Sequence, residues 1–453
     1  MERPALTRIL HRSAQAVVAA LTVSLATWST ARAQQLTFAP YRASGIYDVG
    51  ERVGWTVGVA PGRDAAPGSY TYTVKRDGLA VMGTGSFDLA SGHATIETSL
   101  AQPGMILVEV RPPAGDTAFR GASKAEAGRV LLGAAVAPTR IEPSAPRPAD
   151  FDSFWTARIH QLEAVPPEPV LTPGTSDTPG VDYFTIRMNN IDGAHVYGQL
   201  ARPAREGKFP ALLILQWASA PYPLQPRWVT DRAAEGWLVL NAEPHDVPSD
   251  MPPAFYGALP QRIKNYSTLG RHSRDESYFL PMYLGDYRAA EYLAGRPDWD
   301  GRTLVVMGIS MGGQQSFAVA GLDPRVTALI VDVPAGGDVL GPDHGRAAAY
   351  PNWDVPRPDV RRTAVYFDAA NFAPRISARS LVAMGFIDET CPPASVWATY
   401  DRIPAPKEAV PMVDSPHNHM ATPEEQLSYT RRSAEWLDIL VHGGDPLAAA
   451  RRP

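Results

Sequence analysis

Cysteine is almost missing from this chain: its 453 residues hold one, Cys391. A single thiol closes no internal disulfide, so stability has to come from packing. An excess of basic residues is missing too. The formal net charge is -5 at neutral pH, which leaves no cationic footprint for nucleic acid. Beyond the N-terminal segment, no stretch is long and apolar enough to cross a bilayer. His245, His272, His344, His417 and His419 are scattered and lack the compact spacing of a zinc site, so neither metal nor cofactor is expected. Proline is plentiful, at 44 residues, but dispersed, which indicates many loops rather than one disordered tract.

What is there suits a globular protein with a sizeable core: 45% of residues are hydrophobic and 20% charged. The length exceeds one typical domain and predicts two. Residues 1–33 read as a signal peptide. Arg3, Arg8 and Arg12 make a positive start, Ala16–Trp28 is largely apolar, and Ala31-Arg32-Ala33 fits a small-x-small cleavage site. The expected location is secreted or periplasmic, with no membrane contact in the mature form.

Residues 34–135 read as a β-sandwich domain of immunoglobulin-like type. Val53, Trp55, Val57 and Val59 alternate on one face of a strand, and Tyr70–Val74 and Ile106–Val110 are further strands. Pro61-Gly62, Asp77-Gly78 and Ser91-Gly92 are turn signals between them. Tyr70 and Tyr72 are candidates for stacking on sugar rings, but aromatics in a small sandwich are more often core. Residues 136–149 form a proline-rich linker, and 150–442 carry an α/β pattern. Asp150–Leu162 is an amphipathic helix that Asp150 can cap. Strand-like runs at Tyr183–Met188 and Ala194–Ala201 pair as a hairpin, and Phe209–Leu215 and Trp237–Ala242 are buried strands. Residues 243–280 form a long insertion. Val326–Val331, Leu381–Gly385 and Lys407–Val413 continue the strands, and Glu424–Val441 is a terminal helix. Strands alternating with helices predict an α/β fold with a mostly parallel sheet covered on both faces.

The stretch Thr303–Leu322 organises the rest. An apolar strand leads into Gly308-Ile309-Ser310-Met311-Gly312, and small residues follow in a helix. Strand, G-x-S-x-G and helix in that order are the context of a nucleophile elbow, which lifts a serine hydroxyl above the sheet. The flanking glycines allow the sharp turn, and the Met311 N–H points toward a developing oxyanion. A nucleophilic serine needs a base, and the base an orienting acid. In α/β-hydrolases the chain order is serine, acid, histidine. Asp388 directly follows one buried strand, and His417 follows the next, in Ser415-Pro416-His417-Asn418-His419.

Two runs carry a family resemblance: Tyr366-Phe367-Asp368-Ala369-Ala370-Asn371-Phe372-Ala373 and Gly385-Phe386-Ile387-Asp388-Glu389-Thr390-Cys391-Pro392-Pro393. With them the chain, from about Pro146 to Leu440, resembles the acetyl xylan esterase / cephalosporin C deacetylase family, carbohydrate esterase family seven. The resemblance implies an α/β-hydrolase that removes acetyl groups from sugars and related alcohols. It implies Ser310 as nucleophile, Asp388 as acid and His417 as base, with His419 as the alternative base two residues on. It also implies a second oxyanion donor, the N–H of Ala218. The chain departs from the family pattern in two places: Met311 stands where glutamine is usual, and Pro244-His245-Asp246 replaces an Arg-Gly-Gln run.

The expected activity is removal of acetyl groups from xylan-like carbohydrate through an acyl-enzyme, with an acetylated carbohydrate or other small ester as partner. An oligomer is compatible with the sequence. Two other readings stay open at this point: a lipase- or peptidase-like hydrolase with another acyl or leaving group, and a non-catalytic glycan-binding protein.

Overall fold

The computed structural model describes residues 36–448 except 63, 67, 115–118, 120–127, 219–221, 249–250 and 418–423. The expected signal peptide and His419 lie outside the described residues. Among these no helix is long and apolar enough to cross a membrane.

A nine-stranded sheet forms the centre. Six neighbouring strands are parallel: Leu238–Ala242, Phe209–Leu215, Trp299–Ile309, Ala328–Asp332, Arg379–Gly385 and Lys407–Met412. Three strands at one edge, His195–Pro203, Val181–Asn189 and Val170–Pro173, run antiparallel. The sequence explains the layering. Strand side chains alternate between faces, so Ala211, Leu213 and Leu215 enter one core and Leu212 and Ile214 the other. The first core is closed by helices Phe279–Gly295, Met311–Leu322 and Pro393–Asp401, through Leu293, Phe317 and Trp397. The second is closed by Arg227–Ala234 and Leu427–Val441, through Val229, Trp436 and Leu440. Both faces are covered, as a parallel sheet requires.

Two smaller sheets precede this unit. Leu36–Pro40, Val53–Val59 and His93–Thr98 form one; Ile46–Tyr47, Val130–Val136, Gly104–Arg111, Tyr70–Arg76 and Ala80–Phe87 form the other. They share one core, with Trp55 and Ile96 from the first sheet against Tyr70 and Val108 from the second. Tyr70 is fully buried and stacks on Phe87 at 5.3 Å, so it is core and not a sugar platform.

Two local expectations are corrected. Asp150 starts the helix Phe151–Glu163 but makes no side-chain cap. Its carboxylate instead takes hydrogen bonds from Arg274, at 2.7 Å, and from the Tyr366 hydroxyl. A charged partner held by tertiary structure outcompetes the local backbone N–H. The 243–280 stretch is also no bare insertion. It contains the helix Pro253–Ile263, which begins after Pro252 and carries Pro260 inside it.

The helix Phe151–Glu163 buries Phe151, Phe154 and Trp155 in an aromatic cluster with Tyr283, Phe367 and Phe372. Trp155 is fully buried, and its Nε1 donates to the Tyr366 carbonyl at 3.1 Å. Trp155→Ala should lower unfolding stability by about 3–5 kcal/mol, the usual cost of emptying a large aromatic site. Urea denaturation followed by far-UV circular dichroism measures this; a loss below about 1 kcal/mol would show that the cluster does not anchor the helix.

Candidate active site

The serine strand ends at Ile309, and the helix Met311–Leu322 starts two residues later. Ser310 makes the reversal with φ 56° and ψ -119°, a strained conformation for a residue with a Cβ. The two glycines explain how the reversal fits. A Cβ on Gly308 would sit 2.3 Å from the Gly312 carbonyl carbon, and one on Gly312 would sit 2.1 Å from the Leu215 carbonyl oxygen. Backbone meets backbone there, and any side chain would push the turn open. The Ser310 N–H donates to the Asp332 carbonyl at 3.0 Å, and its own carbonyl accepts from Ala335 N at 3.0 Å.

The turn presents Ser310 Oγ to His417 Nε2 at 2.9 Å, and His417 Nδ1 meets Asp388 Oδ2 at 2.8 Å. Asp388 and His417 stand beyond the ends of adjacent strands, Arg379–Gly385 and Lys407–Met412, so the sheet brings acid and base together. The other Asp388 oxygen accepts two backbone N–H bonds, from Thr390 and Cys391, each at 2.8 Å. These bonds aim the carboxylate. Burial pushes the Asp388 carboxyl up, against the pull of His417 and the two amides. Burial alone would pull His417 down, but the hydrogen bond and charge of Asp388, with Asp332 adding, set the ring above its ordinary value. With Asp388 on Nδ1, the neutral ring carries its proton there, and Nε2 accepts from the Ser310 hydroxyl.

Ala218 follows the strand Phe209–Leu215. The turn that carries it is tied to the serine helix through buried Gln315. The Gln315 side-chain N–H donates to the Gln216 carbonyl at 3.0 Å and to the Met311 carbonyl at 3.1 Å. Gln216 in turn donates to Asn241 Oδ1 at 2.7 Å. The segments bearing the two expected oxyanion donors, Met311 and Ala218, are thereby held in one frame.

Three neighbours were not anticipated. Asp332 ends the strand next to the serine strand and is fully buried, and burial pushes its carboxyl up to about 7. A second acid close to His417 could have been suspected from that strand-end position alone. Cys391 is buried beside Asp388, and burial raises its thiol well above the usual range, so it stays protonated. Asp388, Cys391 and His417 bring one oxygen, one sulfur and one nitrogen within 4.8 Å of one another. Tyr266 is the third. Its hydroxyl bonds to Met311 Sδ at 2.7 Å and to the Tyr350 hydroxyl, and its ring meets His245 edge to face at 4.6 Å. The two departures from the family pattern, Met311 and His245, are thus joined through one tyrosine. Burial lowers His245 to about 4, which keeps the ring neutral. It borders a cavity of about 290 Å³ with Asn190, His195, Glu243 and Asp286.

A model of the acetyl xylan esterase (AXE1) family matches residues 139–339 and 356–434, more than half of the chain. The chain belongs to the acetyl xylan esterase family. It is a carboxylic ester hydrolase of α/β-hydrolase type. Among curated relatives, it is 28% identical over 394 residues to the acetyl esterase Axe7A of Xylanibacter ruminicola, covering 85% of this chain and 87% of that one. That match is longer than the stretch from 139 to the C-terminus, so it takes in part of the N-terminal sheets. Solved structures share the fold. The acetyl xylan esterase from Paenibacillus sp. R4 superposes with a TM-score of 0.55 at 22% identity, over 65% of this chain and 96% of that one. Acetyl xylan esterase 1 from Thermoanaerobacterium sp. JW/SL YS485 gives 0.51 at 24% identity, over 62% and 92%.

The raised His417 sets a pH dependence. If His417 must be neutral to accept a proton, kcat/KM for a small acetate ester should fall on the acid side with an apparent pKa above about 6.5, the ordinary histidine value. Asp388→Asn removes the charge that raises it, and should cut kcat by about 10³-fold or more. A pH–rate profile with its acid limb well below 6 in the unaltered enzyme would contradict this electrostatic reading.

Proposed function

We propose that the esterase is exported and removes acetyl groups from xylan or xylo-oligosaccharides by a Ser-His-Asp acyl-enzyme mechanism. The observation that carries the proposal is the continuous hydrogen-bond line from Ser310 Oγ through His417 to Asp388. Family membership and the relative named for acetyl ester hydrolysis support the acyl group. The N-terminal pattern of residues 1–33 supports export to the periplasm or beyond. On this reading residues 34–135 form one unit and 150–442 the catalytic one.

The reaction proceeds in two steps. Ser310 Oγ attacks the ester carbonyl carbon while His417 Nε2 takes its proton. Asp388 keeps the ring oriented and stabilises the imidazolium that forms. The N–H groups of Met311 and Ala218 receive the oxyanion. Collapse of the tetrahedral intermediate expels the sugar alkoxide, and His417 returns the proton to it. Water, deprotonated by His417, then attacks the acetyl-serine, and acetate leaves. Every proton moves between His417 and an attacking or leaving oxygen. The Gln315 bonds between the two donor segments support an oxyanion pocket held ready before substrate arrives.

The test is acetate release from acetylated xylo-oligosaccharides and from a chromogenic acetate ester by residues 34–453, beside Ser310→Ala. The unaltered protein should hydrolyse both, and the variant should lose at least about 10³-fold on each. Equal activity in the two proteins would remove Ser310 as nucleophile. Hydrolysis confined to long-chain acyl esters would replace acetyl-carbohydrate with a lipase-like substrate.

A further inference from the structure

The N-terminal sheets do not hang beside the catalytic unit; they pack on the segment that carries the acid. Val130–Val136, the strand that returns from the sheets to the catalytic unit, makes the contact. Gly133 lies against Phe386 so closely that a Cβ there would be 2.6 Å from the Phe386 Cβ and 2.8 Å from its carbonyl carbon and oxygen. Leu131, with Leu107 from the neighbouring strand, forms a small buried cluster with Ile387. Arg129 donates through both terminal nitrogens to the two oxygens of Glu389. Leu131 and Gly133 alternate along the strand and so share a face, and Arg129, immediately before it, keeps the same two-residue spacing. That face meets Phe386, Ile387 and Glu389, the residues on either side of Asp388.

The same segment is bonded to the approach to His417. Phe386 N donates to the Met412 carbonyl at 3.0 Å, and Ser415 N donates to that carbonyl at 3.2 Å. Met105 and Ala135 from the N-terminal sheets belong to the same buried core as Met384 and Phe386. Packing at the seam is incomplete. A cavity of about 120 Å³ is bordered by Met105 and Leu107 on one side and by Phe386, Asp388 and Glu389 on the other. The 386–389 segment therefore has room to shift unless the strand contacts hold it.

We infer that the N-terminal sheets are part of the catalytic frame, and that Arg129, Leu131 and Gly133 are positioning residues that fix Asp388 against His417. The inference rests on the triad reading above. It assigns these sheets a role in rate rather than in carbohydrate capture. A shift of the segment would lengthen the Asp388–His417 bond, and a misplacement of about 1 Å costs up to about 100-fold in rate.

The experiment compares full mature chains carrying Arg129→Met, Arg129→Lys, Leu131→Ala and Gly133→Ala, with Ser310→Ala beside them. The readouts are kcat and KM on a chromogenic acetate ester, the acid limb of the pH profile, and thermal unfolding. Arg129→Met and Leu131→Ala should each lower kcat by about 10-fold or more, with KM changed less than about 2-fold. The acid limb should also move to lower pH, because a His417 that loses Asp388 loses what holds its ring above the ordinary value. Arg129→Lys, which keeps a cation beside Glu389, should restore most of the rate. Gly133→Ala should show the largest loss; if it does not fold, the Arg129 pair carries the test. Lower unfolding temperatures with kcat and the acid limb unchanged would overturn the inference and leave the triad reading standing. Activity retained in Ser310→Ala would overturn both.

Discussion

The candidate active centre depends on one steric constraint, the contact of bare backbone at the serine turn. Gly308 and Gly312 pack against each other, and Gly312 packs against the Leu215 carbonyl, at separations no side chain tolerates. This lets a strand become a helix in one residue and leaves Ser310 at a φ of 56°. The strain at Ser310 is over-determined by what surrounds it: backbone bonds to Asp332 and Ala335, and a helix buried along its whole length. The rigid turn holds the serine where a histidine and an acid that follow two other strands reach it. The parallel sheet supplies that registration, since strands ending side by side place their following loops side by side.

Around the turn, some buried polar atoms are paired, while Gln315 Oε1, both side-chain polar atoms of Gln314 and Asp332 Oδ1 have no hydrogen-bond partner among the described residues. Gln315 bridges the segments of Met311 and Ala218, and Asp388 takes two amides and one imidazole. Such networks are costly when half-satisfied and rigid when complete. Cys391, the chain's one thiol, sits in this network as a neutral neighbour of Asp388. Met311 and His245 both contact Tyr266, the first through the hydroxyl and the second through the ring.

The large features were legible because they rest on local periodicity and steric rules. Phe209–Leu215 is buried on both faces, as its continuous apolar run indicates, and Gly308–Gly312 could be read as a turn because its glycines permit the close backbone approach. Ser310, Asp388 and His417 come together from positions chosen by chain order and strand ends. The choice of His417 over His419 rested on the family resemblance, and His419 is outside the described residues. What escaped is long-range. Arg129 and Glu389 are 260 residues apart, and nothing near either in sequence marks the other. Asp150 sits where a cap belongs yet turns to Arg274, because only the folded chain offers that cation. The strand Ala80–Phe87 was missed as well: Gly83 and Gly85 weaken its pattern, and Gly85 is there because the Tyr72 ring lies over it, 2.4 Å from where a Cβ would be.

The central claim is that Ser310 carries the acyl group between the two steps. Rapid acid quench of the enzyme with a chromogenic acetate ester, followed by proteolysis and mass spectrometry, tests it most directly. One added acetyl group is expected on the peptide that contains Ser310, absent when water has had time to complete turnover. An acetyl group found on another residue, with the Ser310 peptide unmodified throughout turnover, would contradict it.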